Sequence, residues 1–241
     1  MSRPSTLNGR TYEKQNDPKL KPLSGIQQRG MQAYHALLNG IIGNTIESGM
    51  QLRPDIIATQ LEISTTPVRE ALHRLEGDGL VVKQPYQGWF VREFNEQEVR
   101  ELYETRAALE CFAVRLACER ITDDEVEWLR KHQAVGEAAL KHRDMDAYRV
   151  YNRDLHAAVL DAARNSYLAS MMEQLSLQSQ TLMAKTIRLA GRPSRAIEEH
   201  RAMIELIGKR KRAAAERVME THILSALEDM LCFGIGKPPR D

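Results

Sequence analysis

Ser64-Thr65-Thr66-Pro67-Val68-Arg69-Glu70-Ala71-Leu72-His73-Arg74-Leu75 reads as a helix with one apolar face and one face left for a partner. Val68, Ala71, Leu72 and Leu75 recur at the i, i+3, i+4, i+7 spacing of a buried stripe. Ser64 is placed to cap the start, and Pro67 falls in the first turn, where its missing N–H costs little. Thr65, Thr66, Arg69 and His73 lie off the stripe near the helix start. Hydroxyls and a guanidinium in that position reach phosphate oxygens and base edges in a DNA major groove.

The residues on either side complete a motif. The spacing predicts a helix from Gly30 to Glu47, with Ala33, Leu37, Leu38, Ile41, Ile42 and Ile46 inward. A shorter one follows from Asp55 to Glu62, two residues before the opening stretch. Helix, short turn, helix is the helix-turn-helix arrangement. Gly77-Asp78-Gly79 stops the second of these helices. Leu80–Lys83 and Trp89–Arg92 are short β-prone runs joined by Gln84-Pro85-Tyr86-Gln87-Gly88, which reads as a hairpin wing. Its tip fits a minor groove, and Gly88 allows close backbone approach. The DNA-contact set is therefore Arg53, Ser64, Thr65, Thr66, Arg69, His73, Arg74, Gln87 and Gly88.

After Arg92 the strand signals vanish. Helices are predicted from Asn95 to Arg120, from the capping box Thr122–Glu125 to His142, and over 144–163, 166–190, 194–208 and 211–233, with Gly191-Arg192-Pro193 as a break. The fold class is mainly α: an N-terminal winged helix-turn-helix over 26–93 and an antiparallel six-helix bundle over 94–233. A polar basic tail (1–25) and a short loose end (234–241) flank them. The chain of 241 residues, 42% of them apolar, suffices for two ordinary domains. No apolar run approaches the ~20 residues of a membrane span, and no signal peptide opens the chain. A cytoplasmic location without membrane contact is expected. The net charge of +1 does not by itself point to nucleic acid, so DNA affinity has to come from charge placement and dimerisation. Cys111 and Cys118 read as small core residues.

Three predicted bundle helices each turn an imidazole inward. His156 lies beside Val159 and Leu160, His200 among Ala196, Met203 and Ile204, and His222 among Met219, Ile223 and Ala226. Either each is separately hydrogen-bonded, or neutral imidazoles share a transition metal. Arg106 sits on the stripe Leu102, Leu109, Ala113, Leu116, where a guanidinium needs an anion. Its partner is either Glu110, one turn away, or a ligand carboxylate. Gln178, on a stripe with Met171, Leu175 and Leu182, is a further candidate for an effector pocket.

LEISTTPVREALHRLEGDGLVVKQPYQGWFV (61–91) resembles the winged-helix domain of the GntR superfamily. Thr65 stands where that family usually has Arg, and Pro54-Asp55-Ile56 replaces an acidic–basic pair, whereas Arg69 keeps its place. LYETRAALECFAVRLACER (102–120), NRDLHAAVLDAARNSYL (152–168), EEHRAMIELI (198–207) and METHI (219–223) resemble the FCD ligand-binding domain of the FadR branch. The resemblance implies a bacterial transcriptional regulator, not an enzyme. Repression relieved by ligand is the commoner behaviour, and the effector is a small organic or sugar acid clamped by Arg106. It also implies a homodimer on a double-stranded operator, and a divalent metal held by Asn152, His156, His200 and His222. Zinc or nickel suits imidazole ligands best, with manganese a further option. Asn152 replaces the family's commoner Asp, which removes one negative charge and lowers metal affinity. Two other readings of the histidines are a metal-responsive regulator and a metal-dependent hydrolase using Glu198 or Glu199. No base at a defined spacing supports the hydrolase, and it gives no reason for a wing. Arg69→Ala is expected to abolish sequence-specific binding in a gel shift on the protein's own promoter region. Unchanged affinity there refutes a reading role for this helix.

Overall fold

The computed structural model describes residues 6–7, 10–11, 26–186 and 191–234, with side chains over 28–183 and 191–234. The short strands β1 (Thr6–Leu7) and β2 (Arg10–Thr11) pair antiparallel. The rest of the expected basic tail, and the expected end from 235 onward, lie outside the described residues.

α1 (Ile26–Ile42) starts four residues before its expected position and ends five before it. Its end is set by Gly40 and Asn44. Asn44 is left-handed (φ 57°), and the amides of Thr45 and Ile46 fold back onto the Gly40 carbonyl. A Cβ on Gly40 would lie 2.6 Å from Ile46 Cδ1, so only glycine lets that side chain close over the helix. β3 (Gln51–Leu52) then precedes α2 (Pro54–Gln60) and α3 (Thr65–Gly77). Val68, Ala71, Leu72 and Leu75 of α3 are buried, as their spacing requires.

The wing strands β4 (Val81–Gln84) and β5 (Gly88–Val91) pair antiparallel, Val81 opposite Val91 and Gln84 opposite Gly88. β3 adds to the other side of β5, Leu52 opposite Trp89, giving the order β3-β5-β4. Two residues carry no readable alternation, which is why this third strand escapes a pattern search. Leu37, Leu52, Val68, Leu72, Leu75, Leu80, Trp89 and Val91 make one core beneath the sheet.

Six helices follow among the described residues: α4 (Glu96–Arg120), α5 (Asp123–Lys141), α6 (Met145–Ala162), α7 (Ser166–Thr186), α8 (Arg192–Gly208) and α9 (Arg212–Cys232). Asn95 and Thr122 each close a reciprocal capping box with Glu98 and Glu125. α8 begins two residues earlier than expected. Gly191, at φ 83°, turns the chain, and Pro193 sits in the first turn, so the apparent breaker is a helix start. The last residues of the expected 166–190 helix lie outside the described ones.

α4 packs along α9 and against α6 and α7, while α5 lies against α6 and α8. Leu129, Tyr151, Leu155, Met203, Ile207, Met219 and Ile223 lie in this second core. Gly136 on α5 faces the ring of Tyr151 on α6 so closely that a Cβ would lie 2.4 Å from it. Gly136→Ala is therefore expected to displace that ring and cost ~1–3 kcal/mol by overpacking, read by urea unfolding.

Candidate effector chamber, metal centre and DNA-reading face

The three inward histidines come together. One ligand-capable nitrogen from each of His156, His200 and His222 lies within 4.8 Å of the other two. They reach this point from α6, α8 and α9, so tertiary packing makes the cluster and no local spacing announces it. Each ring has its Nδ1 occupied. His156 donates from Nδ1 to Glu110 of α4, and the same carboxylate accepts from Arg106 Nε. His222 donates from Nδ1 to Glu199 Oε2 at 2.6 Å. The Tyr151 hydroxyl donates to Gln133 Oε1 at 2.6 Å, so it accepts from His200 Nδ1 at 3.0 Å. Gln133 is oriented by its own amide group, which donates to the Ile197 carbonyl at 3.0 Å.

These partners fix the tautomers. A carboxylate only accepts, and the Tyr151 hydroxyl has spent its proton on Gln133, so all three protons sit on Nδ1 and all three Nε2 atoms present lone pairs. His200 Nε2 and His222 Nε2 face each other at 3.3 Å. His156 Nε2 is buried with no hydrogen-bond partner among the described residues. Converging lone pairs need a cation or a proton between them. A proton is disfavoured: burial, and next the proximity of the other imidazoles, push His200 well below its ordinary pKa. His222 is lowered for the same first reason. A tetrahedral zinc with Zn–N bonds of ~2.0–2.1 Å sets its nitrogens ~3.4 Å apart, close to the 3.3 Å between His200 and His222, with all three nitrogens within 4.8 Å of one another. The residues present thus fit a divalent transition metal.

Burial alone would raise the Glu110 carboxyl. Arg106, and after it His156, outweigh that and hold it well below the usual carboxylate range. Arg106 is thus paired with Glu110, the first of its two expected alternatives, and its guanidinium also lies 5.6 Å over the Tyr103 ring. It nevertheless lines a chamber of about 360 Å³ together with Glu110, Asn152, His156, Met172, Ser176, Gln180 and Met183. Asn152 is buried, one turn from His156, and donates from Nδ2 to Met183 Sδ at 3.3 Å.

Gln178 corrects an expectation. It turns away from the chamber and donates to the Asp78 carbonyl at 3.2 Å, at the end of α3. Leu175 and Leu182 of the stripe on which it was read do pack in the bundle core, but Gln178 lies at the edge of that stripe, beside Leu177, which packs on the winged helix. The chamber wall from this helix is instead Met172, Ser176, Ser179, Gln180 and Met183. Sequence reading also left out Tyr151, Gln133 and Arg192, and considered Glu199 only as a hydrolytic base. Arg192, apparently part of a loop, is buried and donates to the His222 carbonyl at 2.9 Å and to Glu199 Oε2 at 3.2 Å.

On the α3 face, Thr65, Thr66 and Arg69 are exposed, and among the described residues Arg69 has no hydrogen-bond or ion-pair partner. Ser64 occupies the N-cap in extended conformation, yet its hydroxyl makes no capping bond. Two expected DNA contacts, His73 and Arg74, are exposed and also make contacts within the domain. His73 stands edge-on to Trp89, with centroids 4.6 Å apart. Arg74 lies 4.8 Å over the Tyr34 ring and contacts Met31 Sδ. Both sit in the third turn, where α3 leans on the wing and on α1. Arg53 is exposed and pairs with Asp55 at 3.1 Å. At the wing tip Gln87 is exposed, its carbonyl accepting from Gln51, and Gly88 is at φ 96°. Tyr86, not singled out from sequence, is fully exposed there.

Residues 101–225 match the model of the FCD domain, and residues 30–91 match that of the bacterial regulatory proteins of the gntR family. The chain belongs to the GntR family of bacterial transcriptional regulators, in its FCD-bearing branch. Among similar proteins is the uncharacterized HTH-type transcriptional regulator YdhC of Bacillus subtilis. It is 26% identical over 196 residues, which are 80% of this chain and 86% of that protein. The HTH-type transcriptional repressor RspR of Escherichia coli is 23% identical, over 89% of this chain and 92% of its own. The structure of E. coli McbR/YncC matches the fold with a TM-score of 0.75 at 22% identity, over 85% of this chain and 98% of that one. The regulator therefore binds DNA through its winged helix. No described helix is long and apolar enough to cross a membrane.

The depressed imidazoles set a pH dependence for the metal-free regulator. In the unfolded chain they take up protons near pH 6.5, whereas folded His200 and His222 resist doing so. Stability is present above pH 6.5 and is lost as pH falls through and below it, by up to ~1.4 kcal/mol per pH unit for each group. Thermal melts of chelator-treated protein between pH 7.5 and 5.5 check this. Added zinc should raise the melting temperature at pH 7.5, and His156→Ala should remove that rise.

Proposed function

We propose that this regulator is a homodimeric repressor whose hold on a near-palindromic operator is released by a small organic acid. The acid enters the chamber beside a divalent metal bound by His156, His200 and His222, with Asn152 as a fourth, uncharged ligand. When bound, the metal supplies a Lewis-acidic point for a carboxylate. Arg106 keeps Nε on Glu110 and offers its two terminal amino groups to the same anion. Thr65, Thr66 and Arg69 read the major groove, and Tyr86, Gln87 and Gly88 follow the adjacent minor groove.

The observation that carries this reading is the position of α7. One side of this helix, with Met172, Ser176, Ser179, Gln180 and Met183, walls the chamber. On its other side Gln174 donates to the Gly77 carbonyl at 3.2 Å and Gln178 to that of Asp78. Leu177 packs into the winged-helix core. The grip is close: a Cβ on Gly79, at φ 73°, would lie 2.3 Å from Gln178 Nε2. Asp78 in turn accepts from the Tyr34 hydroxyl at 2.7 Å, so the same corner ties α3 to α1. A ligand that moves α7 moves the end of the groove-reading helix, and this differential contact is what a two-state switch requires.

Fluorescence anisotropy on promoter DNA tests the reading. Zinc together with an effector acid should weaken binding about tenfold or more, within the ordinary 1–3 kcal/mol of allosteric coupling. The double substitution Gln174→Ala, Gln178→Ala should keep DNA affinity and lose most of that response. Full response in the double variant refutes α7 as the link. A response to zinc alone shifts the reading to a metal sensor.

A further inference from the structure

The charges around the three imidazoles cancel among the described residues. Arg106 is paired with Glu110. Arg192 is paired with Glu199 at 3.2 Å and with Asp229 at 3.6 Å, and Asp229 also holds Arg195. The imidazoles present lone pairs and count as neutral. Asn152 is neutral as well, and its amide is oriented. Met183 sulfur accepts from Nδ2, which leaves the uncharged carbonyl oxygen as the end available to a ligand. At the chamber wall Arg153 is tied to Asp154 at 2.7 Å. Asp161 and Glu173 stand exposed at the rim, where solvent screens them.

A divalent cation placed in this shell therefore brings two positive charges that no described side chain offsets. Uncompensated charge in a buried site is costly, so the ligand has to carry the balance. A carboxylate at position 152 would cancel half of the excess; a carboxamide cancels none. The chamber shape points the same way. The chamber is bordered by the metal position and by the guanidinium of Arg106, which also bonds Tyr103, and its lining includes apolar Val159, Leu160 and Met172 and polar Ser176 and Gln180 of α7. Two separated anionic groups on a short carbon chain fit this layout, whereas an inorganic anion has no carbon to cover the apolar wall. The volume of about 360 Å³ is at the small end of ligand sites, which run from ~300 Å³ upward.

We infer that Asn152 makes the chamber selective for a small dicarboxylate over a monocarboxylate. This rests on the metal-plus-acid reading above. The second carboxylate meets the α7 wall, so the same charge that balances the centre also engages the helix that holds α3.

The test uses full-length zinc-loaded protein and isothermal titration with three matched pairs: malonate and malonamate, succinate and succinamate, glutarate and glutaramate. Each half-amide keeps the shape of its diacid and lacks one charge. At least one diacid should bind about tenfold or more tighter than its half-amide, a difference of ~1.4 kcal/mol. In Asn152→Asp, which is nearly isosteric, that ratio should fall below about threefold, with zinc content by elemental analysis undiminished. Zinc bound with no diacid preference, or with a preference unchanged in Asn152→Asp, overturns this inference and leaves the regulator reading standing. Wild-type protein that takes up no zinc overturns both. The wild-type ratio alone is decisive should Asn152→Asp fail to fold.

Discussion

Three buried lone pairs pointing at one another are the constraint on which the bundle interior depends. Each His proton is committed to a separate acceptor, Glu110, Tyr151 or Glu199, so none is free to bridge the gap between the Nε2 atoms. Those acceptors are themselves anchored: Glu110 by Arg106, Glu199 by Arg192, and Tyr151 by Gln133 and the open face of Gly136. Four helices are thereby committed to one point, α4, α6, α8 and α9, with α5 supporting from behind. Buried polar groups are tolerated when fully partnered and costly when partly so. Here the unpartnered atom, His156 Nε2, is the one that faces the centre.

The two cores of the molecule meet through α7. Leu175 packs into the bundle and Leu177 into the winged helix, two positions apart on one helix. The hydrogen bonds at this junction go to backbone carbonyls at the end of α3, which would otherwise be left to solvent. Gln174 and Gln178 thus cap α3 from another domain. The local sequence around Gly77-Asp78-Gly79 gives no hint of such a cap, since its donors come from about a hundred residues further on.

What the sequence made legible was local. The apolar stripe of α3, the capping boxes at Asn95 and Thr122, and the inward faces carrying His156, His200 and His222 all follow from helical period and side-chain chemistry. What it hid was set by tertiary neighbours. β3 is two residues long and exists because β5 offers it an edge. His73 and Arg74 look like free polar groups until Trp89 and Tyr34 are placed against them. Gln178 shares a stripe with Leu175 and Leu182, which face the bundle core, yet its own side chain reaches the end of α3 in the other domain. Arg192 read as part of a break because Gly191 and Pro193 flank it, and only the packing of α8 on α9 turns it inward.

The division of α7 into two faces bears on how such a protein diversifies. Helical geometry places Ser176, Ser179 and Gln180 on one flank and Gln174 and Gln178 on another. On the proposed effector reading, mutations that alter which molecule is sensed need not touch the contacts that deliver the message. A lineage of such regulators would then exchange its chemical signal while keeping its output machinery intact, because a single helix holds the two sets of residues on separate sides.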